Sequence, residues 1–486
     1  MSEDETDVMI GLETHVQLDT ETKLFCGCPN EEADEPNTHV REVSLGHPRS
    51  KPRLNRKVLE YAVKTSQALQ CSVNEEVFFS RKTYFYPDLS KDYQITQYEV
   101  PVGEDGKVEI KIGDERKDIG ITRLHIEEDP AKTVHKGGDI SNSKYTKVDY
   151  NRSGTPLLEI VTDPDFTSPK QARAYLQQLA QMLEYLEIYF PESSFSLKSD
   201  ANISIDGGQR VEVKNITGTA GIQKALSYEI SRQKQLKKRG REISQQTRSY
   251  NQNQEITEKL REKETEEDYG YIFDPDLTTQ KLDQEFRQKM KSQIPELPHE
   301  KIKRFKTEYG LKDKLIEALV SVPEMADDFE ELSESHDANL VASWMTGEIK
   351  KTLNYNEITY SESNITNRFL DDLFQLIENE KLSDRNAEQV LRDQVDGSHV
   401  IDYAEKANAE ASTLEASAEE RNLLKSEEDE ISEFVKEAID ENPDAVDDYN
   451  SGDEEAVNFL VGQVMSISQG KADPKSAREM IMEELE

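Results

Sequence analysis

Long apolar runs are missing. No stretch approaches the roughly 18 consecutive apolar residues that a membrane-spanning helix needs, so no membrane partner is expected. Cysteine is scarce too: three thiols in 486 residues cannot build a disulfide framework, which fits a cytoplasmic protein. The opening MSEDETD is acidic and has no apolar h-region, so no secretory signal is expected. Glycine never gathers into a P-loop or a G-x-G-x-x-G turn, and no G-x-S-x-G elbow occurs. Those absences exclude the commonest phosphate-cradling and serine-hydrolase readings. Positive charge is short as well, with 60 Lys and Arg against 99 Asp and Glu, a net charge of −39. Such a coat resembles halophile surfaces, where salt screens the self-repulsion. Hydrophobic residues reach only 35%, but long periodic apolar patterns argue for a folded chain of several domains.

What is present centres on Val8–Leu18, VMIGLETHVQL. Val8, Ile10, Leu12, Val16 and Leu18 share one parity, and Glu13, His15 and Gln17 share the other, so a half-buried strand is expected. Its polar side puts a carboxylate beside an imidazole, a reasonable start for a divalent-metal site. Acid-bearing strands recur. Gly120–Lys132 ends in Glu127, Glu128 and Asp129, a costly cluster without a cation or donors. Glu159 sits in an otherwise apolar strand within Val148–Asp163 and needs a partner. In Phe195–Ile205, Lys198, Asp200, Asn202 and Ser204 alternate with apolar residues. A turn at Asp206–Gln209 then leads to Arg210, Glu212 and Lys214 on a second polar face. Asp, Asn and Glu are poor strand formers, so their recurrence on one face points to a site rather than to plain solvation.

Other stretches carry weaker signals. Ser80–Val100 is rich in Tyr and Lys; Tyr84, Phe85 and Tyr86 suit a core, while Arg81 and Lys82 suit phosphate or nucleotide recognition. Cys26 and Cys28 form half of a zinc site with only His39 and His47 nearby, so zinc is not expected. Helices are expected over Asn55–Leu69, Ser168–Ile188 and Ile222–Arg239, with Gly240 ending the last. Arg232, Lys234, Lys237, Lys238, Arg239 and Arg241 make a basic cluster, read either as a nucleic-acid backbone contact or as a balanced helix surface. From about Ser292 the chain turns helical, with Ile294–Pro298 as linker and Ala407–Arg421 as a second boundary.

Taken together, IGLETHVQL, KLFCGCP, RKTYFYPDL, GITRLHIEED, VDYNRSGTPLLEIVTDPD, SDANISI, VEVKN and NFLVGQVMSISQGKADP resemble the B-subunit family of aspartyl/glutamyl-tRNA amidotransferases, collinearly over nearly the whole length. The resemblance implies an α+β fold: a cradle-like kinase domain with a mainly antiparallel sheet (1–292), an all-α domain (293–415) and a small YqeY-like helical tail that meets tRNA (416–486). It implies ATP- and Mg²⁺-dependent phosphorylation of the side-chain carboxylate of Glu-tRNA(Gln) or Asp-tRNA(Asn), then amidation. Ammonia would come from a partner amidase, the A subunit, with a small C subunit completing the complex. By motif, the metal ligands are Glu13, His15, Glu128 and Glu159, with Glu127 the neighbour that strand parity leaves open. Lys82, Asp200, Asn202 and Lys214 are the expected catalytic residues, and Arg81, Tyr84 and Tyr86 the expected nucleotide contacts.

Four departures from the family pattern stand out. Arg41-Glu42-Val43-Ser44 replaces a C-P-x-C of many relatives, Thr83 replaces an Asn, Ser199 replaces a Cys before D-A-N, and Gly270 replaces an Arg. The Thr83 and Gly270 changes leave room for a weakened tRNA-binding or assembly paralogue. The archaeal glutamate-specific E-type subunit is the other alternative, but its large inserted domain has no counterpart in this chain.

Overall fold

The computed structural model describes residues 6–485 apart from 114, 136–144, 191–196, 263–269, 402–412, 426–427, 451–455 and 469–470. The chain divides into two units, residues 1–298 and 299–486. In the first, the strands are β1 (Val8–Gln17), β2 (Ser72–Val73), β3 (Glu76–Val77), β4 (Ser80–Thr83), β5 (Tyr93–Thr96), β6 (Gly103–Ile112), β7 (Glu115–Glu128) and β8 (Lys132–His135). They continue with β9 (Thr146–Asp149), β10 (Pro156–Thr162), β11 (Leu197–Ile205), β12 (Val211–Thr217), β13 (Gln246–Asn251), β14 (Ile256–Glu262), β15 (Gly270–Phe273) and β16 (Gln280–Lys281). Nine form one sheet in the order β14-β13-β12-β11-β1-β10-β7-β6-β2, antiparallel except where β12 meets β13. A smaller sheet, β15-β4-β5, carries the Ser80–Thr83 segment.

β1 is the middle strand, paired with β10 on one side and β11 on the other. The parity expected for it holds: Val8, Ile10, Leu12 and Val16 are buried on the apolar face, while Glu13 and His15 are half-buried on the other. β11 alternates as expected from Leu197 onward; Phe195 lies outside the described residues. The hairpin after it turns through Asp206 (φ +49°) and Gly207 (φ +64°), with Gly208 N–H donating to Ile205 C=O at 2.9 Å. Two successive positive φ values match the right-handed strand twist, and Asp-Gly is the dipeptide that adopts them at least cost.

The apolar face is covered by α1 (Arg56–Ala68), α2 (Pro169–Tyr185) and α3 (Gly218–Lys238), whose buried residues join the strands in one core. Local chemistry sets their ends. Asn55 Oδ1 accepts from Lys57 N–H at 3.0 Å, and Ser168 Oγ from Gln171 N–H at 3.4 Å with Pro169 following. Gly240 takes φ +65° just past α3, the left-handed exit that a Cβ would resist. α3 starts four residues earlier than the periodicity suggests, because β12 runs straight into it at Thr217.

The second unit is helical among its described residues, apart from an isolated bridge between Leu382 and Leu424. Phe305, Tyr309 and Phe329 pack ring to ring at 5.0–5.4 Å centroid separations near its start. A separate apolar cluster, including Ile431, Val435, Leu460, Val464 and Ile481, lies near its end. Between them His336, with a side chain 5% exposed, bridges two carboxylates: Nε2 is 2.9 Å from Asp371 and Nδ1 2.7 Å from Glu378. Burial alone would lower the imidazole pKa, but the two acids raise it. A raised folded-state value means the stabilisation is complete below about pH 6.5 and is lost as pH rises through that raised value. His336→Gln is therefore expected to destabilise this unit by about 1–3 kcal/mol at pH 6. Thermal unfolding of the two proteins should converge as pH rises through that raised value; a pH-independent difference would contradict the bridged imidazolium.

Candidate active site

The polar face of the large sheet carries the site. Cross-strand partners point to the same face, so the pairings His15↔Glu159↔His125 and Glu13↔Asp200 line up acids and imidazoles from β7, β10, β1 and β11. Asn202↔Glu212 extends the row to β12, and Glu212↔Thr247 to β13. Thr247 Oγ1 donates to Glu212 at 2.8 Å.

Two clusters result. In the first, His15 Nε2 lies 3.5 Å from Glu159 and 4.0 Å from Glu127, and His125 Nε2 lies 3.3 Å from Glu159. Glu128, the acid expected from the family motif, stands outside this group, and Glu127, the neighbour that parity left open, stands in it. Pairing Leu157↔Glu127 turns Glu127 onto the polar face, and Glu128, opposite Pro156, turns the other way. The Glu128 carboxylate accepts from Lys91 Nζ and from Ile95 N–H (2.8 Å), while Gln94 Nε2 donates to its carbonyl at 2.6 Å. In the second cluster, Glu13 stands with Asp200 and Glu212. Asn202 Nδ2 donates to Glu13 at 2.9 Å, and Lys214 Nζ lies 2.7 Å from Asp200 and 3.5 Å from Glu212. Glu159, the lone acid in an apolar strand, has its partners in the two imidazoles.

Charge within the face is unevenly neutralised. Burial and then Glu159 push the Glu127 carboxyl up to about 7. Burial pushes Glu13 up as well, reinforced by Glu159, Asp200 and Glu212. Burial would also raise Glu159, but His125 and His15 hold it well below the usual range. Burial would lower His15, yet Glu159 brings it up to about 9. Each cluster offers three ligand atoms within 4.8 Å of one another. The Glu13–Asp200–Glu212 set is all oxygen, the donor chemistry of Mg²⁺; the His15–Glu127–Glu159 set adds a nitrogen that softer divalent ions also accept. Both sets therefore fit a divalent cation, and partly uncompensated buried acids are what a cation would relieve.

The smaller sheet supplies the remaining expected residues, and it separates them. Lys82 is turned toward the acids: burial would lower its pKa, but Glu127 first, then Tyr271 and Glu159, raise it. Arg81, one residue earlier, faces the other way. Its guanidinium donates to Asp274 at 2.8 Å and Asp276 at 3.1 Å and lies over Tyr93, 4.6 Å from the ring centroid. Tyr84 donates to Gln94 at 3.3 Å, while Phe85 (86% exposed) and Tyr86 (44%) stand outside the core. Tyr271 stacks on Tyr98 with centroids 3.9 Å apart. Thr83 and Gly270, two of the departures from the family pattern, are cross-strand partners and so make one change at one place. Near the Arg41–Ser44 departure, Cys28 Sγ is 3.1 Å from Cys26 Sγ and 3.8 Å from Ser44 Oγ. Burial, chiefly, pushes the Cys26 thiol up to about 11.

The residues underweighted by sequence reasoning are His125, Glu127 and Glu212. A signal existed for the first two, since His125 and Glu127 alternate in HIEED as Glu13 and His15 do in LETHV. Among the described residues no helix is long and apolar enough to cross a membrane.

Comparison with known proteins gives a consistent result. Residues 8–288 match the GatB/GatE catalytic domain, and residues 327–485 match the GatB domain. The B subunit of the aspartyl/glutamyl-tRNA(Asn/Gln) amidotransferase from Haloquadratum walsbyi is 42% identical over 498 residues, covering 98% of this chain and 97% of the relative. Proteins of the same name from Halobacterium salinarum (41%, 100% and 98% covered) and Methanoregula boonei (42%, 98% and 98%) are similar to the same extent. On the matched domains and this full-length similarity, the chain belongs to the GatB family, the B subunits of aspartyl/glutamyl-tRNA(Asn/Gln) amidotransferases.

Proposed function

We propose that this chain activates and amidates the side-chain carboxylate of a glutamate or aspartate misacylated onto tRNA, using ATP and Mg²⁺. The relatives named above carry the tRNA amidotransferase name. The observation that carries the reading is the single sheet face on which His15, Glu127 and Glu159 stand next to Glu13, Asp200 and Glu212. Divalent cations held by these two sets would neutralise phosphate charge, the main requirement of phosphoryl transfer. In the first step a carboxylate oxygen of the aminoacyl group bonds to the γ-phosphorus of ATP, and the β–γ bridging P–O bond breaks to release ADP. In the second, ammonia bonds to the side-chain acyl carbon, the C–O bond to phosphate breaks, and phosphate leaves with the proton that the nitrogen sheds. Lys82, facing the acids from β4, is the cation assigned to the transferring phosphoryl group. Lys214 holds Asp200 and Glu212 together, and Asn202 orients Glu13.

Ammonia requires a partner, for which an amidase A subunit with a small C subunit is proposed. The tail from residue 416 to 486, which contains the second apolar cluster, is proposed as a tRNA-contacting unit, and zinc is not assigned a role. Arg81 is given a positioning role rather than a nucleotide contact, because Asp274 and Asp276 already engage it. Tyr84 and Tyr86 remain proposed nucleotide contacts beside Lys82.

The test is ADP formation by the chain with its amidase, stimulated by misacylated tRNA. Glu13→Gln is expected to reduce it by on the order of 100-fold or more, since charge but not shape is lost, while partner glutaminase activity persists. Glu128→Gln should leave the Mg²⁺ dependence unchanged. Normal turnover by Glu13→Gln at limiting Mg²⁺, or tRNA-independent ATP use by the parent chain, would favour the paralogue reading instead.

A further inference from the structure

In a chain of net charge −39, one cavity has the opposite character. It measures about 340 Å³ and gathers Lys23, Arg41, Lys51 and Arg53 against a single acid, Glu42. The surrounding sequence is equally biased: Arg41 to Lys57 holds six Lys and Arg and one Glu. Lys23 is buried in the cavity wall, donating to the carbonyls of His39 (2.8 Å) and Ser153 (2.9 Å). Lys51 Nζ pairs with Asp276 at 2.8 Å. Arg41 and Arg53 are exposed, and neither forms an ion pair among the described residues.

The segments carrying the two arginines are held in place by backbone bonds. Arg53 N–H donates to Phe25 C=O at 2.9 Å and Asn55 N–H to Leu24 C=O at 2.8 Å. Arg41 N–H donates to Ser44 Oγ at 2.9 Å. Two guanidinium forks on fixed backbone, beside a third cation, suit an oxyanion of phosphate geometry. A volume of this size admits a phosphate with its sugar. The exposed rim favours a polymer crossing the surface over a small molecule sealed inside. A polyanion also meets repulsion over most of this surface and is held best where cations lack acidic partners.

We propose that this pocket binds a backbone phosphodiester of the tRNA, an inference that rests on the tRNA-amidating function proposed above. Its position serves that reaction. Lys51 joins Asp276, Asp276 joins Arg81, and Arg81 adjoins Lys82 on β4. RNA held at Arg41 and Arg53 is thereby tied to the strand that presents Lys82 to the acidic face.

The experiment uses the full chain in complex with its amidase and compares Arg41→Gln/Arg53→Gln with Arg41→Lys/Arg53→Lys. Both positions are exposed, so the fold is retained. The glutamine pair should raise KM for misacylated tRNA about tenfold, the order of one lost phosphate contact. It should leave kcat and KM for ATP unchanged. Measured across a salt series, the slope of log affinity against log salt should differ from the parent by about 1. The lysine pair should keep that slope and lose only part of the affinity. A glutamine pair with parental tRNA affinity and salt slope would overturn the pocket assignment, and a rise in KM for ATP instead would reassign the pocket to nucleotide. A parent complex without any tRNA dependence would overturn the amidation reading itself, a result independent of the variants.

Discussion

Glu127→Gln is expected to abolish tRNA-dependent ADP formation and, in the absence of Mg²⁺, to make the protein more stable. Both effects come from one feature. Glu127 is buried beside Glu159, and its carboxyl is pushed up to about 7. The unfolded chain releases that proton near pH 4.5, whereas the folded chain keeps it until about 7. Between those values the native state binds more protons, so stability falls as pH rises through the window. Glutamine does not titrate and removes the penalty. The variant should equal the parent below about pH 4.5 and exceed it by roughly 3 kcal/mol at pH 8. Added Mg²⁺ should reverse the order, because binding to the native state stabilises the parent by mass action. Denaturant melts at pH 4 and pH 8, with and without Mg²⁺, check all four cases. Equal Mg²⁺ stabilisation of both proteins would remove Glu127 from the ligand set. Turnover should drop by at least on the order of 100-fold.

Glu229→Ala is expected to be among the most damaging single substitutions in the first unit. Glu229 is fully buried on α3 and accepts from Arg232 at 2.6 and 2.9 Å, Gln233 at 2.9 Å and Thr257 at 2.9 Å, with Arg248 3.5 Å away. These bonds tie α3 to β13 and β14 at the edge of the large sheet. Alanine leaves two guanidinium groups facing each other without a counter-charge, a situation that costs about 3–5 kcal/mol. Glu229→Gln keeps the shape and part of the hydrogen bonding and should lose less. Chemical denaturation of the full chain measures both, and a loss under about 1 kcal/mol for alanine would show that the network relaxes or hydrates. The same contacts bear on the basic cluster of α3. Arg232 is engaged by Glu229 and Lys237 by Asp206, so only part of that cluster remains for a polyanion.

The paired departures bear on activity. Thr83 and Gly270 oppose each other on β4 and β15, and a Cβ at Gly270 would meet Thr83 Cβ at 3.8 Å, an ordinary contact. The backbone there accepts a Cβ without displacing Thr83. Lys82 and Tyr271, one position inward on the same two strands, remain directed at the acids.

Much of this protein was legible in the sequence, for a physical reason. Strand parity, helix caps and hairpin turns depend on residues a few positions apart, and those preferences act wherever the segment ends up. Thus Val8–Leu18 announces a strand with an acid-imidazole side, Ser168-Pro169 a helix start, and Asp206-Gly207 a tight turn. The family motifs extend the same legibility to the reaction class. Tertiary structure alone decided which polar groups meet. β1 lies between β10 and β11, partners more than a hundred residues away, and only that lateral register brings Glu13 to Asp200 and His15 to Glu159. It also decided between neighbours of identical type: Glu127 or Glu128 is a question of which residue opposes Leu157. Arg81 and Lys82 read alike in sequence, yet Asp274 claims one and the acidic face the other. Arg41 and Arg53 share a cavity only because the loop after β1 folds back along Leu24 and Phe25. Contacts of this kind depend on long-range pairing, whose energy comes from the assembled core, and no local pattern encodes them.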